Sequence, residues 1–92
     1  MSRATRLVPN QIAEGWPDRP SSDVPAEAAR RFALNLRDAL DGRTTRAGAD
    51  LTGVSHVTIG RVLNGTVWPD AATIARLEHG LGRRLWPTIP LQ

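Results

Sequence analysis

Apolar residues recur at helical spacing in several parts of the chain, and this pattern predicts a small all-α protein. The longest stretch follows Asp23, whose side chain can cap a helix, and Pro25, which suits a first turn because no backbone N–H is needed there. Gly42 is predicted to end this helix in a left-handed conformation. Its apolar face consists of Ala29, Phe32, Ala33, Leu36, Ala39 and Leu40.

Three shorter helices are predicted after this long helix. Each is preceded by a capping residue and followed by a glycine. The first covers Arg46 to Leu51. The expected caps are Thr44 or Thr45, then Ser55, then Asp70, and the closing glycines are Gly53, Gly65 and Gly82. The inward residues of the later two helices are Ile59, Val62 and Leu63, together with Val54 before them, and Ile74, Leu77 and Leu81.

The outward face of the helix after Ser55 contains an unusual pair of residues. Val57, Gly60, Arg61 and Asn64 follow one another at the spacing of a single helix face. A glycine inside a helix costs about 1 kcal/mol relative to alanine. Gly60 therefore needs a reason, and its neighbour Arg61 suggests a surface that a partner approaches.

The two ends of the chain read differently from its middle. Residues 1–22 contain Pro9, Pro17 and Pro20, so we expect an extended, mostly irregular N-terminal arm with at most one helical turn. The arm is apolar enough between Leu7 and Trp16 to dock on something. Residues 23–87 form the predicted domain, with Leu85 and Trp86 folding back onto the core, and residues 88–92 form a tail.

Composition narrows the class of protein. The chain has 92 residues, which favours one domain, and no cysteine, which excludes disulfides and thiolate metal sites. No apolar run approaches the roughly 20 residues that span a bilayer, and the first residues lack the apolar core of a secretion signal. We therefore expect a cytoplasmic protein that contacts no membrane.

The charge points to an anionic partner. The net charge is +3, and all 12 cations are arginine, which forms bidentate contacts with phosphates and guanine edges. A GC-rich coding genome explains the same bias equally well. The segment from Arg43 to Gly65 holds three arginines and one aspartate, so the positive charge is concentrated there.

An ordered set of residues between Asp23 and Pro87 resembles the lambda repressor/Cro-like helix-turn-helix family of phage and bacterial regulators, the xenobiotic-response-element family. The matching residues are Gly53, Val54, Ser55, Ile59, Asn64, Gly65, Pro69, Ile74, Leu77, Leu81 and Gly82. The resemblance implies a four- to five-helix domain of lambda-repressor type. Three positions depart from the family pattern. Gly48 stands where the family has a leucine, Thr52 replaces an apolar residue for which Leu51 is expected to rotate inward, and Leu63 stands where glutamate is common.

In this family the helix after the turn lies in the DNA major groove. The resemblance therefore implies that Arg61 reads a guanine, that Val57 contacts a thymine methyl group, and that Gly60 lets the helix lie close to the duplex. His56 is expected to donate to a guanine or a phosphate. Two bland alternatives remain open: Gly60 is simply tolerated, and His56 only supports the turn.

Contacts to the DNA backbone are expected from the helix that follows Thr44 and Thr45, from the helix that follows Ser55, and from the loop after Gly65. The expected residues are Arg43, Thr44, Thr45, Arg46, Ser55, Thr58, Asn64 and Thr66. The N-terminus of a helix is a favourable phosphate site. An ordinary capped helix with solvated charges is the alternative, and Ser55 and Asn64 also serve the helix ends. Trp68 and Trp86 are expected to cover the core rather than stack on bases.

The sequence thus predicts a DNA-binding transcriptional regulator, a repressor, that forms a homodimer on double-stranded DNA in the nucleoid. A protein-interaction adaptor or antitoxin partner built on the same scaffold is the alternative. No enzymatic activity is expected, because the histidines His56 and His79 lie on different helices and no nucleophile–base pair is visible. No cofactor, metal or small-molecule ligand is evident.

Overall fold

The computed structural model describes residues 7–90, which form five helices and no strand. This confirms the predicted all-α class. The helices are α1 (Pro9–Ile12), α2 (Val24–Leu40), α3 (Thr45–Thr52), α4 (His56–Asn64) and α5 (Ala71–Leu81). None of the helices in the described part of the chain is long and apolar enough to cross a membrane.

Side-chain caps fix where the four longer helices begin, as the sequence predicted. The carboxylate of Asp23 accepts from a first-turn amide at 3.0 Å and that of Asp70 at 2.8 Å. The hydroxyls of Thr44 and Ser55 do the same at 3.1 Å each. Each cap satisfies one amide that the helix leaves unpaired. Residue type therefore decides these boundaries locally.

The helix ends agree less closely with the prediction. Gly53, Gly65 and Gly82 adopt left-handed conformations behind α3, α4 and α5, as expected. Behind α2, Asp41 already turns left-handed, with φ of 51°, before Gly42 does. The prediction gave this turn to Gly42 alone, and it missed that aspartate tolerates the left-handed region better than most side chains.

The core lies between α2 and the helices that follow it. Its buried members are Phe32, Leu36, Ala39, Leu40, Val54, Ile59, Val62, Leu77 and Leu85. α3 packs on both α4 and α5, and α2 packs on α1, α4 and α5. Leu63, Ile74 and Leu81 are only partly buried beside this core.

The unusual composition of α3 has a clear packing reason. A Cβ on Gly48 would lie 2.8 Å from Leu40 Cδ2 and 3.3 Å from Ile59 Cδ1, so these side chains already fill that space. Thr52 is buried, and its hydroxyl donates to the Gly48 carbonyl at 2.8 Å. The expectation that Leu51 rotates inward was wrong, because Thr52 occupies the inner position and Leu51 stays 49% exposed.

Residues 7–22 contain one helical turn, α1, as predicted, but they lie folded against the helices rather than extended. Pro9 and Ala13 are buried. The carboxylate of Glu27 accepts from the Ser21 amide at 2.8 Å, and the guanidinium of Arg30 donates to the Pro17 carbonyl at 3.0 Å. These bonds hold the segment to α2. Residues 1–6 of the predicted arm lie outside the described residues.

The chain after α5 folds back onto the core through Leu85, which is fully buried. The carboxylate of Glu78 accepts from the amides of Leu85 and Trp86 at 2.8 and 3.0 Å, and these bonds lower its pKa. The ring of Trp86 lies 5.7 Å from that of Phe32 and is 45% exposed, so it covers the core only in part. Residues 91–92 of the predicted tail lie outside the described residues.

Candidate nucleic-acid interface

The outward face of α4 is open to solvent, while Ile59 and Val62 anchor the opposite face in the core. Val57 is 46% exposed, and Arg61 is exposed as well. A Cβ on Gly60 would meet no atom within 4 Å. Nothing in the described chain therefore requires a glycine at this position.

Arg61 has no ion pair or side-chain hydrogen bond with the residues that the structure describes. The ion pairs within residues 7–90 involve Arg30, Arg31, Arg83 and Arg84 instead. No residue in the described part of the chain therefore competes with an external acceptor for the guanidinium of Arg61.

A cleft of about 270 Å³ opens between α4 and the start of α5, beside Arg61. Thr58, Trp68 and Asp70 are among the residues that line it. The carboxylate of Asp70 is held by the Thr73 amide, whose hydrogen bond lowers the pKa of Asp70. The cleft is thus lined by one cationic and one anionic side chain, Arg61 and Asp70.

Ser55 and Thr58, at the start of α4, make hydrogen bonds that stabilise the helix itself. Ser55 caps the helix, and its hydroxyl also donates to that of Thr58 at 3.2 Å. Ser55 thereby donates its only hydroxyl proton, whereas the hydroxyl of Thr58 still has a proton to donate to an external acceptor. His56, the first residue of α4, is half-buried.

The start of α3 presents backbone donors. The amides of Thr45 and Arg46 have no acceptor among the described residues, because the capping interactions of Thr44 reach the amides of Ala47 and Gly48. The side chain of Arg46 is exposed and unpaired within the described chain. Amides and a cation at a helix start together favour an anion.

Arg43 lies at the end of α2, and its guanidinium turns back onto that helix. It donates to the carbonyls of Ala39 and Leu40 at 3.4 and 3.3 Å. A cation at a helix C-terminus stabilises the last carbonyls. Arg43 thus has a structural role besides the predicted phosphate contact.

Two residues at and after the end of α4, Asn64 and Thr66, were predicted to contact the DNA backbone, and their side chains differ in the hydrogen bonds that they already make. Asn64 is exposed and belongs to the outward face. Thr66 donates from both its amide and its hydroxyl to the Arg61 carbonyl, at 3.0 and 3.3 Å, and thereby closes the helix. The only proton of the Thr66 hydroxyl is therefore already donated within the chain.

Two residues near the site were missed from the sequence. Trp16 and Asn10 donate to the last carbonyls of α4. The proline-rich apolar stretch around them indicated docking, but nothing in the residue pattern named α4 as its partner. Among the described residues, no group of three histidine or acidic side chains is placed to hold a metal ion.

No family model, curated protein or solved structure matches this chain.

Proposed function

We propose that the protein is a sequence-specific DNA-binding transcriptional regulator, a repressor, in which α3 and α4 act as a helix-turn-helix unit of lambda repressor/Cro type. The observation that carries the proposal is the outward face of α4. It combines a glycine that the fold does not need with an adjacent arginine that no described residue pairs. A bare backbone beside a free guanidinium suits a helix that lies close against a duplex.

In this proposal α4 enters the major groove and its outward side chains read base edges. Arg61 donates two parallel hydrogen bonds to O6 and N7 of a guanine, and Val57 contacts a thymine methyl group. Gly60 lets the backbone approach the bases between them. His56, at the N-terminus of the helix, donates to a guanine or a phosphate.

The start of α3 binds the DNA backbone. The free amides of Thr45 and Arg46 donate to one phosphate, and the Arg46 guanidinium adds a charge-assisted contact. These contacts fix the register of α4 without reading sequence. The hydroxyl of Thr58 donates to a further phosphate, and that of Ser55 does so only after it releases Thr58.

The test begins with a DNA duplex that the protein selects from a random-sequence library. Its affinity is then measured by titration across a range of salt concentrations. Each neutralised phosphate contributes about −0.9 to the slope of log affinity against log salt. We expect Arg46→Ala to reduce that slope by about one unit on every sequence. Arg84→Ala removes the same charge outside α3 and α4 and should leave the slope unchanged.

A flat salt dependence, or no selected duplex, would contradict the DNA-binding proposal and favour a protein-interaction module. One observation supports this second candidate. A mostly apolar groove of about 780 Å³ lies between the start of α2 and the residues after α5, with Val24, Trp86 and Ile89 on its walls. Val24 is 65% exposed there.

A further inference from the structure

The C-terminal end of α4 needs hydrogen-bond donors from outside the helix. A helix leaves its last four carbonyl groups without partners of its own. In α4, the following turn serves the first two of them. The amide of Gly65 donates towards Arg61 and Val62, and that of Thr66 donates to Arg61. The next carbonyls along the chain find their donors elsewhere.

Those donors come from the N-terminal segment, residues 7–22. Trp16 Nε1 donates to the Leu63 carbonyl at 2.9 Å, and Asn10 Nδ2 donates to the Asn64 carbonyl at 2.9 Å. The amide of Asn10 donates to the Gly65 carbonyl at 2.9 Å. The indole ring also lies against Gly65, where a Cβ would come 2.6 Å from Trp16 Cε2. Two residues thus satisfy three successive carbonyls and cover the turn.

The segment is itself attached to α2, so these contacts connect the end of α4 to the longest helix. Glu27 and Arg30 pair at 2.8 Å with side chains that are 9% and 10% exposed. As described above, the same two side chains bond to the Ser21 amide and the Pro17 carbonyl. The N-terminal segment is therefore a bridge between α2 and α4.

α4 depends on such support because it is only nine residues long. Isolated helices shorter than about 12–15 residues are marginal in water. Of its buried anchors, Ile59 lies in its middle and Val62 in its last turn, which also contains the outward residues Arg61 and Asn64. The burial of Val62 fixes one side of that turn, and the donors to its final carbonyls hold its end.

We propose that Asn10 and Trp16 are positioning residues for base recognition, holding the last turn of α4 so that Arg61 meets its base at the right depth and angle. This inference rests on the proposed function. It assigns to the segment before α2 a share in sequence discrimination, although neither residue needs to touch DNA.

The experiment compares Trp16→Phe, Asn10→Ala and the double variant with the parent chain. Trp16→Phe keeps an aromatic ring over Gly65 but removes the donor to Leu63. Trp86→Phe is the matched control, because it makes the same change at a tryptophan outside the bridge. Titrations use the duplex that the parent selects from a random library and a scrambled duplex of equal composition. Amide hydrogen exchange and melting curves are recorded without DNA.

We expect the double variant to melt cooperatively while the amides in the last turn of α4 exchange about tenfold faster, because carbonyls there lose their donors. Amides in the middle of α2 should exchange as in the parent. Affinity for the selected duplex should fall about tenfold, and affinity for the scrambled duplex less than about threefold. Trp86→Phe should change neither exchange in α4 nor discrimination.

Unchanged exchange at the end of α4 would overturn the positioning role directly. Faster exchange with parental discrimination would overturn it too, since the segment would then only stabilise the fold. If the double variant does not fold, Trp16→Phe alone decides by the same two readouts. If the parent chain selects no duplex, both the DNA-binding function and this positioning role are overturned. If the parent selects a duplex and the variants discriminate as well as the parent does, only the positioning role is overturned.

Discussion

The glycines inside helices differ in what surrounds them. A Cβ on Gly48 would press on two core side chains, and a Cβ on Gly80 would come 2.5 Å from the Leu51 carbonyl oxygen and 2.6 Å from Thr52 Cα. Both glycines thus allow close helix approach within the chain, at the core side of α3 and between α3 and α5. Gly60 faces open space. It is the helix-interior glycine among the described residues that the fold itself leaves unexplained.

We predict that Gly60→Leu abolishes binding to the selected duplex without unfolding the protein. The added side chain meets no atom of the chain near Cβ, and leucine is the better helix former by up to about 1 kcal/mol. Binding titrations and melting curves test both parts. Gly60→Ala is the size control and should melt at least as high as the parent. Wild-type affinity in Gly60→Leu would show that α4 does not approach a duplex closely.

A second prediction concerns Arg61. We expect Arg61→Ala to weaken binding to the selected duplex by about 1–3 kcal/mol and to relax the preference at one base pair, a guanine. The measurement is a titration against duplexes substituted one position at a time. An equal loss on selected and scrambled duplexes, with a salt slope reduced by about one unit, would instead assign Arg61 to a phosphate. In that case His56 becomes the next candidate base reader.

At the scale of helices, the Glu27–Arg30 pair makes stability depend on pH. The hydrogen bond from Arg30 lowers the pKa of Glu27 from its ordinary value of 4.5 to about 2. A carboxyl whose pKa is depressed in the folded state stabilises the fold above its unfolded pKa and loses that effect as pH falls towards the folded value. The contribution of Glu27 is therefore complete above about pH 4.5 and disappears towards pH 2.

We predict that Glu27→Gln destabilises the protein at neutral pH by about 3 kcal/mol, because it leaves the buried guanidinium of Arg30 without its charged partner. The difference in unfolding free energy between parent and variant should shrink as pH falls from 4.5 to 2. Urea titrations at several pH values measure this difference. A difference that stays constant over that range would mean that the pKa of Glu27 is not depressed.

The helices also show how far the sequence can be read. The caps at Asp23, Thr44, Ser55 and Asp70 were predictable because each involves residues three apart in the chain. The exposed face of α4 was also predictable, because helical periodicity relates residues three or four positions apart. The outward position of Leu51 was not predictable, because it depends on Thr52 being buried between helices.

The contacts that hold the candidate site in place were likewise not predictable from the pattern of residues. The contact of Trp16 with Leu63 joins positions 47 apart. The turn of Arg43 onto α2 depends on how the chain leaves that helix. Long-range contacts of this kind leave no periodic signal, which is why the apolar N-terminal segment indicated docking without indicating where.

For the whole molecule, we predict a homodimer on a pseudo-palindromic site. One recognition helix reads only a few base pairs, and paired half-sites about 34 Å apart supply the missing selectivity in related arrangements. Light scattering at high protein concentration, with and without the selected duplex, measures the stoichiometry. Two chains per duplex and symmetric half-sites are expected. A one-to-one complex on a non-symmetric site would refute the dimer.

The bridge from Asn10 and Trp16 to the end of α4 also bears on how the chain is made. Synthesis proceeds from the N-terminus, and closing a loop costs more entropy as the loop lengthens. The bond from Asn10 to Asn64 spans 54 positions. On the ribosome, residues 7–22 can bond to α2 before α4 is made, but Asn10 and Trp16 meet their acceptors only after α4 has left the exit tunnel. The attachment of this segment is therefore completed late in folding.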